Sequence, residues 1–203
     1  MTAIARTLLF VPGDRPERFD KACAAGADAV IIDLEDAVAP AAKSRARDAI
    51  ADWLVAGPER AVWLRLNAAG SPWFDDDVAL ARQAGVAGVM LPKAERASDV
   101  AALAGMAVIA LIARGMADLD AVAAAPGVTR LAFGSIDFQA DVGIPGDGDA
   151  LLAFPSRPKA AGRGRRMAPV CRKELQRRLH QSLACQEADI DQGPEMAPMS
   201  SST

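Results

Sequence analysis

Three carboxylates directly follow a short apolar run in the segment V-I-I-D-L-E-D-A-V, which covers Val30 to Val38. The apolar residues need burial, whereas Asp33, Glu35 and Asp36 need water, a cation or hydrogen-bond donors. A parallel strand that is buried on both faces and opens onto a site at its C-terminal end meets both needs. Because carboxylates are hard oxygen ligands, such a site suits Mg²⁺ as the first candidate cation.

Polar side chains also follow the other aliphatic runs of the chain. Arg65 and Asn67 end one run, Lys93 follows Pro92 after the next, and Asp137 lies beyond the sixth. An acidic residue at a strand end is more often a helix N-cap than a site residue, but so many polar strand ends favour one shared site. Arg65 there could hold a substrate carboxylate or a developing enolate through paired hydrogen bonds. Lys93 could instead form a Schiff base, as in class I aldolases.

Several other chemistries are excluded by what the sequence lacks. His180 is the only histidine and lies far from these runs, so no Ser-His-Asp or Cys-His nucleophile system is expected. The three cysteines match no zinc or disulfide spacing. No glycine-rich phosphate-binding loop of the G-x-x-x-x-G-K-[ST] or G-x-G-x-x-G type is present.

The elements that must position these residues alternate along the chain. Strands are predicted at Leu8–Val11, Ala29–Leu34, Ala61–Leu66, Gly88–Leu91, Val108–Ile112 and Thr129–Phe133. Helices are predicted between them at Arg15–Ala25, Ala41–Leu54, Phe74–Ala84, Arg96–Ala104 and Met116–Ala124. Six consecutive β-α repeats predict a parallel barrel or a doubly wound sheet. A closed barrel of this type has eight strands, so six repeats would leave it two units short.

Longer motifs point to one family. They are R-T-L-L-F-V-P-G-D-R-P (Arg6–Pro16), D-A-V-I-I-D-L-E-D-A-V-A-P-A-A-K (Asp28–Lys43), W-L-R-L-N (Trp63–Asn67), S-P-W-F-D-D-D (Ser71–Asp77), M-L-P-K-A-E (Met90–Glu95) and L-A-F-G-S-I-D-F (Leu131–Phe138). In these motifs, their order and their spacing, the chain resembles the citrate lyase beta-like members of the HpcH/HpaI aldolase/citrate lyase superfamily. The resemblance spans most of residues 1–154.

The resemblance implies an α/β fold of the TIM-type (β/α)8 class, here truncated after about six β-α units and followed by a non-homologous C-terminal tail. It also implies a Mg²⁺-dependent carbon–carbon lyase. Such an enzyme cleaves a 3-hydroxyacyl-CoA, such as citryl-CoA or malyl-CoA, into acetyl-CoA and a keto acid. The alternatives are a malyl-CoA thioesterase, a pyruvate-type aldolase relative, or a catalytically impaired remnant.

The resemblance also implies roles for individual residues. Arg65 is expected to bind the carboxylate and carbonyl oxygens of the substrate and to act in catalysis. Glu35 and Asp36 are expected to orient metal-bound water or to take part in proton transfer. Arg6 and Lys93 are expected to contact substrate, Lys93 as an electrostatic lysine, and Asp137 is expected to bind the metal.

Two stretches depart from the family pattern. The fifth strand of the family reads L-I-E-[TS]-A-R-G, and its Glu is a second metal ligand, whereas here Ile112 is followed directly by Ala113. With one anionic ligand fewer, the affinity for Mg²⁺ should fall below that of an intact relative. After residue 154 the net charge changes from −7 over residues 1–154 to +4 over residues 155–203. The chain is therefore predicted to have a barrel domain at 1–154 and a basic tail at 155–203 that is disordered or partly helical.

Partners and location follow from composition and from the resemblance together. No run of 18 apolar residues and no signal peptide is found, so a cytoplasmic protein without membrane contact is expected. The basic tail lacks interleaved aromatic residues, which argues against nucleic-acid binding. The expected partners are a CoA thioester or small carboxylic acid and, as in the family, other copies of the chain.

Overall fold

The computed structural model describes Ala5 and residues 7–112, 118–134 and 167–169. These described residues contain seven strands: β1 (Leu8–Pro12), β2 (Ala29–Asp33), β3 (Val62–Arg65), β4 (Val86–Leu91), β5 (Val108–Ile112), β6 (Val128–Phe133) and β7 (Met167–Pro169). Five helices lie between the first six strands: α1 (Phe19–Ala24), α2 (Lys43–Val55), α3 (Phe74–Ala81), α4 (Ala97–Ala101) and α5 (Leu119–Ala124). No helix in this part of the chain is long and apolar enough to cross a membrane.

The strands form one parallel sheet in sequence order, from β1 to β7. Each described helix connects a strand to its neighbour, which is the β-α repeat that the sequence predicts. In register, Pro12 pairs with Asp33, Asp33 with Arg65, and Arg65 with Met90. Asp33 and Arg65 therefore lie side by side at the C-terminal ends of β2 and β3.

The sheet curls around an apolar interior. One buried cluster joins side chains from five of the strands: Leu8, Ala29, Ile31, Met90, Ile109, Leu111 and Ala132. Arg130 on β6 donates a hydrogen bond of 2.7 Å to the carbonyl of Ala5, which precedes β1. In a flat sheet these strands would be five spacings, or about 24 Å, apart. The contact therefore requires the curvature of a barrel, although β1 and β7 are not paired within the described residues.

Close packing inside the barrel depends on Gly88 of β4. A Cβ at this position would lie 2.6 Å from the carbonyl oxygen of Ala107 and 2.6 Å from the indole ring of Trp63. The missing side chain lets Trp63 pack inward against the apolar cluster. Glycine in a strand here marks a close approach rather than a turn.

The predicted strands match the observed ones to within two residues at each end, whereas the helices are shorter than predicted. Helix α3 ends at Ala81 rather than Ala84, and α4 ends at Ala101 rather than Ala104. Left-handed glycines follow both, Gly85 at φ +92° and Gly105 at φ +86°. Each glycine turns the chain toward the next strand, so the preceding residues form the turn instead of extending the helix.

The predicted tail contains one described element. Strand β7, at Met167–Pro169, pairs with β6 and extends the sheet. The prediction of a disordered or partly helical tail over residues 155–203 did not include this strand. The described residues all belong to the first of two compact units of the chain, Met1–Val170. The second unit, Cys171–Thr203, lies outside the described residues. A domain boundary at residue 154 and the character of the tail as a whole stay predictions.

Candidate functional site

A buried ion pair between Asp33 and Arg65 forms the base of the site. Asp33 ends β2 and is 1 % exposed, and Arg65 ends β3 and is 3 % exposed. The guanidinium donates to both carboxylate oxygens, from Nε to Oδ1 at 2.7 Å and from Nη2 to Oδ2. This bidentate geometry fixes the guanidinium plane and leaves Nη1 facing the rim. The aromatic ring of Phe10 lies below, 5.5 Å from the guanidinium carbon.

Glu35 lies between two cations above this pair. Its Oε2 is 3.2 Å from Nη1 of Arg65, and its Oε1 is 3.2 Å from Nζ of Lys93. Both oxygens are buried, yet neither accepts a hydrogen bond of good geometry from the described residues. Burial raises the pKa of Glu35, and the charges of Arg65 and Lys93 oppose this only in part. Glu35 is therefore a buried carboxylate with unused acceptor capacity, a state typical of functional carboxylates.

Asp36 and Lys93 form the exposed edge of the site. Oδ2 of Asp36 is 3.7 Å from Nη1 of Arg65, and its side chain is 42 % exposed. Lys93 follows β4 and is half exposed, and it adopts φ +52°. A non-glycine residue in this left-handed region is uncommon, and such residues cluster at functional sites. The conformation turns the lysine back over the strand end, where its ammonium reaches Glu35.

The pKa of Arg65 reflects this surrounding charge. Burial alone would lower the pKa, but the hydrogen bonds and charge of Asp33, together with the charges of Glu35 and Asp36, raise it overall. The guanidinium is therefore a permanent cation whose Nη1 edge faces the rim. Since Glu35 and Asp36 approach that edge from one side, an incoming carboxylate or enolate oxygen would compete with them for it.

A second group of polar residues supports the segment that carries Glu35. Lys43, the first residue of α2, is 4 % exposed and donates to the carbonyl of Leu34 at 2.7 Å and to that of Glu35 at 2.9 Å. Nδ2 of Asn67 also donates to the carbonyl of Leu34, at 3.1 Å. Burial lowers the pKa of Lys43, while four nearby carboxylates, first among them Asp77, act in the opposite direction.

Asp77 on α3 connects this support to the next helix. Its Oδ2 accepts from the backbone N–H of Asn67 at 2.8 Å and from Nδ2 of the same residue at 2.7 Å. Its Oδ1 accepts from Nη1 of Arg47 at 3.2 Å. Burial raises the pKa of Asp77, and these donors counteract the shift. In the sequence Asp77 is the last residue of the Ser71–Asp77 motif, and in the structure it anchors the end of β3.

The structure brings together four of the six predicted site residues: Arg65, Glu35, Asp36 and Lys93. Arg6 and Asp137 lie outside the described residues, so their roles stay predictions. The sequence does not predict that Asp33 holds Arg65, because a carboxylate at a strand end does not reveal its partner. The sequence likewise does not predict the role of Lys43, which is the last residue of the Asp28–Lys43 motif and lies at the start of a helix, where a cation is unfavourable.

The described residues do not form a complete metal site by themselves. Among them, no three Asp, Glu, His or Cys side chains cluster closely enough to hold a metal ion. Both oxygens of Asp33 are bound to Arg65, and each oxygen of Glu35 faces a cation. The unused acceptor capacity of Glu35 fits hydrogen bonding to metal-bound water rather than direct coordination. Glu35 and Asp36 therefore fit a supporting role beside a Mg²⁺ ion.

The curled parallel sheet, with its charged residues at the C-terminal strand ends, defines an α/β-barrel protein with an enzyme-type site at its rim. Residues 6–109 match the HpcH/HpaI aldolase/citrate lyase family. The chain belongs to this family, and the predicted resemblance and TIM-type fold class are confirmed.

Curated relatives narrow the class further. The chain is 46 % identical over 137 residues to the citrate lyase subunit beta-like protein of Mycobacterium tuberculosis H37Rv, a match that covers 66 % of this chain and 49 % of the relative. It is 35 % identical over 165 residues to the L-malyl-CoA/beta-methylmalyl-CoA lyase of Cereibacter sphaeroides, covering 68 % and 51 %. The chain thus spans about half the length of the curated relatives that it matches.

A solved structure shows the same fold. It is the citrate lyase beta subunit of M. tuberculosis in complex with oxaloacetate and magnesium, with a TM-score of 0.74 and 34 % identity. The match covers 93 % of this chain and 88 % of that one. The relatives named above carry lyase names, and the chain also matches a (3S)-malyl-CoA thioesterase of C. sphaeroides.

Proposed function

We propose that the chain is a Mg²⁺-dependent carbon–carbon lyase that cleaves a 3-hydroxyacyl-CoA, such as malyl-CoA or citryl-CoA, into acetyl-CoA and a keto acid. The observation that carries the proposal is the grouping of Arg65, Glu35 and Lys93 at one rim of the barrel. A guanidinium fixed by a buried carboxylate lies there beside a second carboxylate, whose oxygens face two cations at 3.2 Å and accept no hydrogen bond of good geometry from the described residues. The relatives that act on CoA esters of hydroxy acids support the choice of substrate.

The reaction needs a base and a site for developing negative charge. Cleavage removes the proton of the 3-hydroxyl group and breaks the C2–C3 bond, and the electron pair moves to the thioester oxygen as an enolate, which then takes up a proton at carbon. Glu35, with its raised pKa, is suited to hold and return a proton. The Nη1 edge of Arg65 is suited to bind a substrate carboxylate or the enolate oxygen.

The metal completes the site. Mg²⁺ supplies a Lewis acid for the oxygen of the keto-acid half. In this proposal Asp137 binds the ion directly, and Glu35 and Asp36 hold its water ligands. Lys93 and Arg6 contribute positive charge toward the anionic substrate.

Product analysis tests the proposed reaction. The full chain is incubated with malyl-CoA or citryl-CoA, with millimolar Mg²⁺ or with EDTA, while keto acid and free thiol are measured separately. A lyase releases keto acid without free thiol, and a thioesterase releases thiol without keto acid. The expected result is that keto acid is released only with Mg²⁺. The rate of release should fall by at least about 100-fold in Arg65→Lys, because the paired hydrogen bonds are lost. Thiol release alone, or no product from either ester, would overturn the lyase assignment.

Metal binding has its own test. Mg²⁺ should raise the thermal unfolding midpoint of the wild-type chain, because a ligand that binds only the folded state stabilises it, and should not raise that of Asp137→Asn. Insertion of Glu-Thr between Ile112 and Ala113 restores the family pattern and should strengthen Mg²⁺ binding in calorimetry. Equal affinities with and without the insertion would contradict the assignment of a missing second ligand.

A further inference from the structure

Lys43 occupies a position that is unfavourable for a lysine. It is the first residue of α2, where the partial positive charge of the helix end repels a cation, and α2 has no acidic residue in its first turn. The side chain is also 4 % exposed, so its ammonium has lost most of its water. Helix stability therefore does not explain the lysine at this position. The explanation must lie in the contacts that its ammonium makes.

Those contacts converge on the segment that carries Glu35. Nζ of Lys43 donates to two consecutive carbonyls, those of Leu34 and Glu35, at 2.7 and 2.9 Å. The carbonyl of Glu35 also accepts from the N–H of Val38 at 3.2 Å, which closes a tight turn. The indole of Trp73 covers the ammonium, with its ring centre 5.0 Å from Nζ.

The backbone of Glu35 is consequently held on both sides. Its N–H donates to Oδ1 of Asp33 at 2.9 Å, and its C=O accepts from Lys43. The Glu35 side chain, in contrast, accepts no hydrogen bond of good geometry from the described residues. The ion pairs with Arg65 and Lys93, both at 3.2 Å, hold the outer end of the side chain, and the backbone clamp fixes the point from which the side chain starts.

We propose that Lys43 is a positioning residue: its buried ammonium binds the carbonyls of Leu34 and Glu35 and so fixes the turn that aims the Glu35 carboxylate between Arg65 and Lys93. The role rests on the proposed lyase function, because it acts through Glu35. Lys43 touches neither substrate nor metal in this scheme. Its Nζ acts as a double donor, not as an acid or a nucleophile.

A double-mutant cycle separates positioning from general structural support. Lys43→Met removes the ammonium and keeps an unbranched side chain, and it should lower kcat by about 10- to 100-fold with little change in KM, since about 1 Å of misplacement has a cost of that order. In a Glu35→Gln background the same change should cost less than about twofold, because the group that it positions is already lost. Equal losses in both backgrounds would overturn the proposal. Lys21→Met, on the exposed face of α1, is the matched control and should leave kcat unchanged.

Hydrogen exchange measures the clamp without relying on activity. In Lys43→Met the amides of Glu35 and Val38 should exchange at least about 10-fold faster, while those of β3 and β4 keep their rates. Unchanged exchange at Glu35 and Val38 would overturn the proposal even if kcat fell. If the Met variant does not fold, Lys43→Gln keeps a shorter, neutral –NH₂ donor group and should show the same pattern of faster exchange at reduced size. Uniform acceleration of exchange in this variant would overturn the proposal. An inactive wild-type chain would overturn the lyase function alone, and exchange would still decide the role of Lys43.

Discussion

Replacing Asp33 by Asn should destabilise the fold more than any exposed charge change at the same rim. The substitution keeps the shape of the side chain but removes the charge and one of the two acceptors that bind Arg65. Removing one partner of a buried ion pair costs about 3–5 kcal/mol, because the other charge stays buried. Arg65 keeps Glu35 at 3.2 Å and Asp36 at 3.7 Å, so the lower end, about 3 kcal/mol, is expected. For a chain of this length that loss corresponds to roughly 6–12 °C in the unfolding midpoint.

Urea unfolding followed by circular dichroism measures this difference directly. Asp36→Asn is the matched control, since Asp36 is 42 % exposed and pairs with the same guanidinium, and it should cost less than about 1 kcal/mol. In an Arg65→Met background, Asp33→Asn should lose most of its effect, because the buried cation is gone. A cost for Asp33→Asn no larger than that of Asp36→Asn would refute the view that this pair holds the base of the site.

Three further outcomes follow from the site and the barrel interior. Burial raises the pKa of Glu35 above its ordinary 4.5, so the folded state binds the proton more tightly, and the stability from this group is lost as pH rises through the raised pKa. In urea titrations the wild type should therefore lose stability relative to Glu35→Gln from about pH 4.5 upward. A stability difference that stays constant with pH would contradict the raised pKa. Treatment with borohydride in the presence of keto acid should trap no imine, since the Lys93 ammonium is paired with Glu35 at 3.2 Å. A reduced adduct on Lys93 in mass spectrometry would favour the class I aldolase alternative. Gly88→Ala should cost about 1–3 kcal/mol in urea unfolding, because its Cβ would lie 2.6 Å from both the carbonyl oxygen of Ala107 and the Trp63 ring. An unchanged midpoint would contradict the close approach at this position.

The positions of the strands could be predicted from the sequence because their signal is local, whereas the β-α pattern left a barrel and a doubly wound sheet open. An aliphatic run such as Ala29–Leu34 gives way to a cluster of charged residues, and this pattern alone located β2 to within one residue. The ends of the helices were harder to predict from the sequence. The ends of α3 and α4 depend on where the chain must turn to reach the next strand, and that requirement comes from the sheet.

The candidate site likewise has features that the sequence predicts and features that only the fold decides. The sequence by itself determined that Glu35, Asp36, Arg65 and Lys93 share one rim, because residues at the C-terminal ends of parallel strands meet at one edge of the sheet. Only the tertiary structure decided how they pair, since register places Asp33 beside Arg65 and burial makes their ion pair obligatory. Only the fold, likewise, brings the ammonium of Lys43 under the turn at Glu35, since that contact depends on how α2 packs against the end of β2. Residue types and spacing are properties of the chain, whereas the partner of a buried charge is fixed by packing across strands that are distant in sequence.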